Sequence, residues 1–237
     1  MDKDQLVQSF LQGAVLSFDK PLGWSSFDVV NKVRSMARYV LGIKMLRTGH
    51  AGTLDPLATG LLIICTGKQT KNIEGFQDME KEYTGTFTLG QTTPSFDLET
   101  KPDAIFPTSH ITFEMAVAAA EKLSGPQNQI PPLYSAKKID GERAYEYARR
   151  GEHTELKSRK VVISQFEITR FELPEADFRV VCSKGTYVRS LARDFGSELH
   201  SGAHLKSLRR TRIGNYCATD AWTIDNFEKH LRNIVGH

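Results

Sequence analysis

Asp55 stands in the segment His50-Ala51-Gly52-Thr53-Leu54-Asp55-Pro56-Leu57-Ala58-Thr59-Gly60, where no residue beside it offers a cation. A carboxylate set among Gly, Leu, Pro and Ala can act as a nucleophile or as an electrostatic stabiliser, because poorly solvated surroundings strengthen every charge interaction it makes. Gly52 and Gly60 make positive φ cheap, Pro56 fixes φ and removes a donor, and Leu61–Cys65 is an apolar run of strand length. The pattern predicts a rigid turn that presents an acid at the edge of a sheet. Asp before Pro is also ordinary turn chemistry, its carboxylate bonding nearby backbone N–H groups.

The elements that must position this turn can be read from periodicity. Val15–Phe18 is a short strand leading Asp19-Lys20-Pro21 into a glycine turn, after a leading helix or arm over 1–13. Ser25 or Ser26 can cap a helix whose apolar positions Phe27, Val30, Val33, Met36, Ala37 and Val40 recur at helical spacing, with Gly42 past its end. Lys81–Leu89 alternates with period two, so Tyr83 shares a face with Phe87 and Leu89. Residues 94–107 read as loop. Ser109 or Thr112 can cap a helix through Glu114, Val117, Ala120 and Leu123, ended by Gly125-Pro126. Residues 141–151 read as a short basic amphipathic helix. Val161, Ile163, Phe166, Ile168 and Phe171 suggest a strand that changes phase near Ser164-Gln165, joined by a hairpin over 172–177 to Phe178, Val180 and Cys182. A helix over Thr186–Leu199 turns Val188, Leu191, Ala192, Phe195 and Leu199 inward, with Tyr187 and Arg189 at its first turn. The expectation is one continuous α+β domain over 1–237, with a basic insertion at about 131–160 and a short tail at about 213–237.

The 237 residues suffice for a substantial core, and 40% hydrophobic with 25% charged residues is ordinary globular composition. The net charge of +3 says little about partners, but its distribution says more. Lys137, Lys138, Arg143, Arg149, Arg150, Lys157, Arg159 and Lys160 crowd one stretch, and Lys206, Arg209, Arg210 and Arg212 another, as contact with phosphates requires. Solvated faces would give the same pattern. Three dispersed cysteines, Cys65, Cys182 and Cys217, write neither a disulfide framework nor a metal site, and no apolar run has bilayer length. A cytoplasmic setting is expected. Thr66-Gly67-Lys68-Gln69 lacks the spacing of a phosphate loop, and His200 with His204 lacks a third ligand for zinc, so no metal is expected.

The Asp55 segment resembles the motif Gly-His-x-Gly-x-Leu-Asp-Pro-x-Ala-x-Gly of TruB-type pseudouridine synthases. In order along the chain, Asp19–Ser26, Lys81-Glu82-Tyr83 with Leu89–Thr93 and Asp97, Pro131–Lys138, and Cys182–Leu191 resemble further motifs of that family, closed by Gly202–Leu205 and Leu208–Thr211. His200 departs from the pattern, standing where many relatives have glycine. The resemblance implies a pseudouridine synthase fold, a central mixed and mostly antiparallel sheet flanked by helices, and isomerisation of a T-loop uridine in tRNA without a cofactor. It implies that Asp55 reacts at C1′ or C6, or assists a glycal route, and that Arg189 holds it ionised and oriented. Tyr83 is expected to stack on the base, with Tyr187 and Leu208 walling the pocket. His50 is expected to fill the gap left when the base is flipped out. Lys20 is expected to steer phosphates or support the Asp55 turn, and Lys137, Lys138, Arg149, Arg150, Arg209 and Arg210 to contact RNA. Few residues follow Arg212, so no complete C-terminal PUA domain is expected, nor dependence on a guide RNA; a monomer acting on the tRNA T stem-loop is. Two other readings remain: an RNA-binding or RNA-folding factor using the same groove, and a nucleoside glycosidase, which would want a second carboxylate such as Asp97 or Asp194.

Overall fold

The computed structural model describes residues 2–135, 138–139, 142–150 and 156–236. In chain order the elements are α1 (Lys3–Gln12), β1 (Val15–Lys20), α2 (Ser26–Tyr39), β2 (Thr48–Ala51), β3 (Ala58–Thr66), α3 (Ile73–Asp78), β4 (Lys81–Leu89), β5 (Gln91–Thr92), β6 (Ala104–Ile105), α4 (Phe113–Lys122) and β7 (Gly125–Gln129). They continue with β8 (Lys138–Ile139), β9 (Glu142–Arg143), α5 (Ala144–Arg149), β10 (Arg159–Glu172), β11 (Glu175–Cys182), α6 (Val188–Glu198), β12 (Ala203–Ile213), β13 (Tyr216–Cys217) and α7 (Ile224–Val235). The fold is α+β with a mostly antiparallel central sheet. The chain divides into two compact units, Met1–Lys81 with Arg209–His237, and Glu82–Leu208.

In the first unit β3 is the organising strand. β1 pairs with it antiparallel from Val15↔Cys65 to Lys20↔Gly60, and β2 from Thr48↔Thr66 to Ala51↔Ile63. Leu62 and Ile64 pack under α1, α2 and α7 with Phe10, Phe18, Val30, Val33 and Phe227, while Leu61, Ile63 and Cys65 pack on the opposite face with Ala51 and Ile213. Coverage on both faces explains why β3 is apolar without alternation. Each fully buried Leu or Ile there contributes about 1.5–3 kcal/mol relative to exposure. Ser25 starts α2 with a capping box to Asp28, and the helix buries Val29, Val30, Val33, Met36 and Ala37. Phe27, expected inward, is 56% exposed. The cap places it on the outer side of the first turn, and Val29 takes the inward position.

In the second unit β4, β11, β10 and β7 are neighbours in that order. Phe87, Phe166, Phe178 and Phe195 form its aromatic centre, Phe87 and Phe178 stacking at 4.1 Å. The change of phase in β10 is a register shift against β11 between Ile163 and Gln165, and a second follows between Ile168 and Arg170. The hairpin connection is tighter than expected, only Leu173-Pro174. α6 buries all five expected positions, Val188, Leu191, Ala192, Phe195 and Leu199. α4 buries Ala116, Ala119 and Ala120, leaving Val117 half-buried: an alanine-rich helix can pack closely on a face its larger residues do not mark. Gly125-Pro126 begins β7 as well as following the helix, and the stretch expected as loop at 94–107 contains β6. Of the expected helix over 141–151, Ala144–Arg149 form α5 while Glu142-Arg143 are the strand β9, and Lys137 lies outside the described residues.

Candidate active site

The turn carrying Asp55 joins β2 to β3, and its rigidity can be traced carbonyl by carbonyl. Gly52 O accepts from Arg210 Nη2 at 3.0 Å, with Arg210 Nη1 3.5 Å from Thr53 O. Ser26 Oγ donates to Leu54 O at 3.2 Å and accepts from Leu54 N at 2.8 Å. Asp55 O accepts from Ala58 N at 3.0 Å, and Pro56 O from Gly23 N at 2.9 Å. Gly52 and Gly60 hold φ of 93° and 101°, as a turn of this hand requires. At Gly60 a Cβ would stand 2.3 Å from the backbone oxygen of Arg210, so only glycine fits. Asp55 is thereby presented, half-buried, from a loop whose backbone has no slack.

Two cations expected on RNA are instead interior supports. Arg210 is 1% exposed, and its Nε donates to Leu61 O at 2.7 Å besides the bonds to the turn. Lys20 is fully buried at the end of β1, its Nζ donating to Trp24 O at 2.6 Å and Pro21 O at 3.1 Å and lying 3.5 Å from Pro56 O. Enclosed side chains committed to carbonyls cannot meet a phosphate, so RNA contact by Lys20 and Arg210 is corrected to support of the turn, a role the sequence left open for Lys20. Burial pushes the Lys20 ammonium down to about 8; the Asp55 carboxylate opposes that shift and Arg210 adds to it. Burial, with repulsion from Arg210, also lowers His50 below the ordinary histidine range, so its ring is neutral at pH 7. His50 Nδ1 is buried with no hydrogen-bond partner among the described residues.

Arg209, one residue from Arg210, grips Asp19 through both guanidinium nitrogens, at 3.0 and 2.7 Å, with 41% of its side chain exposed. Asp19 and Arg209 thus tie β1 to β12 across β3, beside the Lys20 support.

The remaining expected site residues lie in the second unit. Tyr83 is buried at 8% on the same face of β4 as Phe87 and Leu89. Tyr187 caps the start of α6, its backbone N–H donating to Gln129 Oε1 at 2.8 Å while Gln129 Nε2 donates to its carbonyl at 3.1 Å. Leu208 is half-buried on β12. Arg189 is 4% exposed; its Nη1 donates to Tyr134 O at 2.9 Å and Ser95 O at 3.3 Å, and its Nε lies 3.6 Å from Asp97 Oδ2. One guanidinium therefore draws together the Thr93–Asp97 loop, the Pro131–Ser135 segment and α6. Asp97 as an ion-pair partner of Arg189 went unrecognised in the sequence, where it stood as part of a family motif and as a candidate second carboxylate. Arg150 is exposed, pairs with Glu142 at 2.8 Å and lies over the Tyr147 ring at 4.8 Å. The expected contacts of the Lys137, Lys138 and Arg149 side chains fall outside what the structure describes.

His200, the departure from the family pattern, holds φ of +50°, the left-handed region in which glycine is the usual residue. A non-glycine residue there bears the strain. Cys65 and Cys182 are buried as core residues, and burial pushes the Cys65 thiol up to about 11. Among the described residues no group of three or more His, Cys, Asp or Glu side chains could hold a metal ion, and no helix is long and apolar enough to cross a membrane.

Residues 38–188 match the family model described as TruB family pseudouridylate synthase, N terminal domain, and residues 189–234 match tRNA pseudouridylate synthase B C-terminal domain. A protein of Phocaeicola vulgatus named tRNA pseudouridine synthase B is 54% identical over 223 residues, 94% of this chain and 95% of that protein. One of the same name from Flavobacterium johnsoniae is 55% identical over 226 residues, 95% of this chain and 99% of its own length. Among solved structures, a Cbf5-Nop10-Gar1 complex contains a chain that superposes with a TM-score of 0.72 at 23% identity, and an archaeal box H/ACA sRNP Nop10-Cbf5 complex one with a TM-score of 0.69 at 22%. Each covers 98% of this chain, which spans 59% and 58% of their lengths. These structures show the fold alone.

Proposed function

This chain belongs to the TruB family of pseudouridylate synthases, and from that premise we infer that it isomerises uridine 55 of tRNA to pseudouridine. The observation that carries the reading is the Gly52–Pro56 turn, every carbonyl of which is engaged so that one half-buried carboxylate, Asp55, is held in place. The reaction breaks the N1–C1′ bond, forms a C5–C1′ bond, removes the proton from C5 and leaves one on N1, with no net redox change. Asp55 supplies the carboxylate that this needs at C1′ or C6, or as the base of a glycal route.

Tyr83 stacks on the target base, Tyr187 and Leu208 wall the pocket, and the buried charge of Arg189 maintains the segments around it. The neutral ring of His50 fits insertion into a base stack better than contact with a phosphate. Exposed cations, Arg209 and Arg150 among them, meet the T stem-loop. The same reading has the protein working in the cytoplasm as a monomer, on tRNA alone without a guide RNA.

The test is incubation of an unmodified tRNA transcript with purified protein alone, followed by mapping of pseudouridine through its carbodiimide adduct. Wild type should form pseudouridine at the T-loop position, and Asp55→Asn should bind the transcript but form none. Binding without product by the wild type would overturn the reading.

A further inference from the structure

Residues 29–54 contain no Asp or Glu but five cations, Lys32, Arg34, Arg38, Lys44 and Arg47. Lys32 is neutralised by Glu228 at 2.7 Å. The other four line one open pocket of about 840 Å³, between the outer face of α2 and the loop that follows it, together with Tyr39 and Met45. None of the four is paired with a carboxylate among the described residues. Arg34 gives one donor to Thr48 O at 2.7 Å, and Arg38 lies 5.5 Å from the centre of the Tyr39 ring. Tyr39 is 77% and Met45 88% exposed.

The loop presenting these side chains is built, not slack. Leu41 and Ile43 are buried in the core, Ile43 N donates to Ala37 O at 2.9 Å, and Gly67 N donates to Arg47 O at 2.8 Å. Leaving four cations together without a counter-ion costs stability through mutual repulsion, a cost that an arriving polyanion removes. An open aromatic ring beside guanidinium groups adds a surface on which a ribose or base can pack. The pocket leads directly into β2, and His50 lies only three residues beyond Arg47, about 10 Å along an extended chain.

We propose that this pocket is a second RNA-binding site, which grips backbone phosphates of the substrate tRNA outside the loop that enters the Asp55 site. The proposal rests on the tRNA pseudouridine synthase reading and names a partner surface for it. Charge complementarity favours RNA over an acidic protein, because the exposed ring lies among the cations and the pocket adjoins the strand that carries His50. The site holds the stem in register while the target base leaves its stack.

The test compares wild type with a triple variant, Arg38→Gln, Lys44→Gln and Arg47→Gln, and with the single Lys44→Glu, all at side chains outside the core. Fluorescence anisotropy with full-length tRNA transcript is measured from about 50 to 200 mM salt. The triple variant should bind at least about 10-fold more weakly at low salt, and its log–log salt slope should be shallower by about 2 to 3, near one unit for each phosphate no longer neutralised. Lys44→Glu should weaken binding in the same direction. Unchanged affinity and slope would overturn the proposal. Pseudouridine formation by the wild type, scored in the same samples, reports separately on the catalytic reading.

Discussion

Arg210 and Gly60 are packed backbone to backbone: the backbone oxygen of Arg210 stands 2.3 Å from where a Cβ on Gly60 would be. Gly60→Ala therefore combines a backbone clash with φ of 101°. It should destabilise the protein by about 3 kcal/mol or more, read as a lower urea midpoint. Gly23→Ala, at φ of 82° with nothing within 4 Å, should cost only about 1 kcal/mol.

Removing the Arg210 side chain strands carbonyls rather than exposing a surface. Arg210→Met should cost about 2–4 kcal/mol, because Leu61 O and Gly52 O lose buried charged donors. Arg210→Lys should recover little, since an ammonium cannot fork between them. Urea unfolding followed by tryptophan fluorescence measures both.

Lys20 gives the activity a basic limb. With its ammonium depressed to about 8, it loses its charge in the folded protein as pH rises past that value, and the cation opposite Asp55 and near Pro56 O goes with it. Single-turnover rates should fall above pH about 8, and Lys20→Arg, if folded, should lose that limb. Stability should move the other way. Between about 8 and 10.5 the unfolded chain binds more protons than the folded one, so this group makes the fold more stable with rising pH. A fall in rate without a fall in melting temperature is the signature.

His50 titrates in the opposite corner. Its lowered value means that the unfolded chain takes up a proton first, so its contribution to stability is present at neutral pH and lost as pH falls below the ordinary histidine range. Because the neutral ring is the working form, His50→Phe should retain about tenfold more kcat/KM on tRNA than His50→Ala, unstacking a base costing a few kcal/mol. Equal losses would remove the ring-insertion role.

What the sequence made legible was local. The β2–β3 turn, the inward face of α6, the phase change in β10 and the cap at Ser25 all follow from spacings within a few residues. Lys20 and Arg210 were not legible in full, because charged residues default to the surface and their carbonyl partners lie, for Arg210, about 150 residues away. Arg189 with Asp97 is hidden for the same reason. The acid-free run 29–54 went unread in the sequence, because its cations are spaced along a helix and a loop, and only the pocket shows that four of them face one space.

The carbonyls of the Asp55 turn are answered from separate stretches of chain: the glycine turn at Gly23, the start of α2 at Ser26, and β12 at Arg210. A polypeptide still emerging from the ribosome can carry the whole His50–Gly60 sequence and yet lack the guanidinium that sets Gly52. Competence at Asp55 is thus withheld until synthesis has passed residue 210, and a chain cut short before that point should be inert toward RNA chemistry even where its first strands have formed.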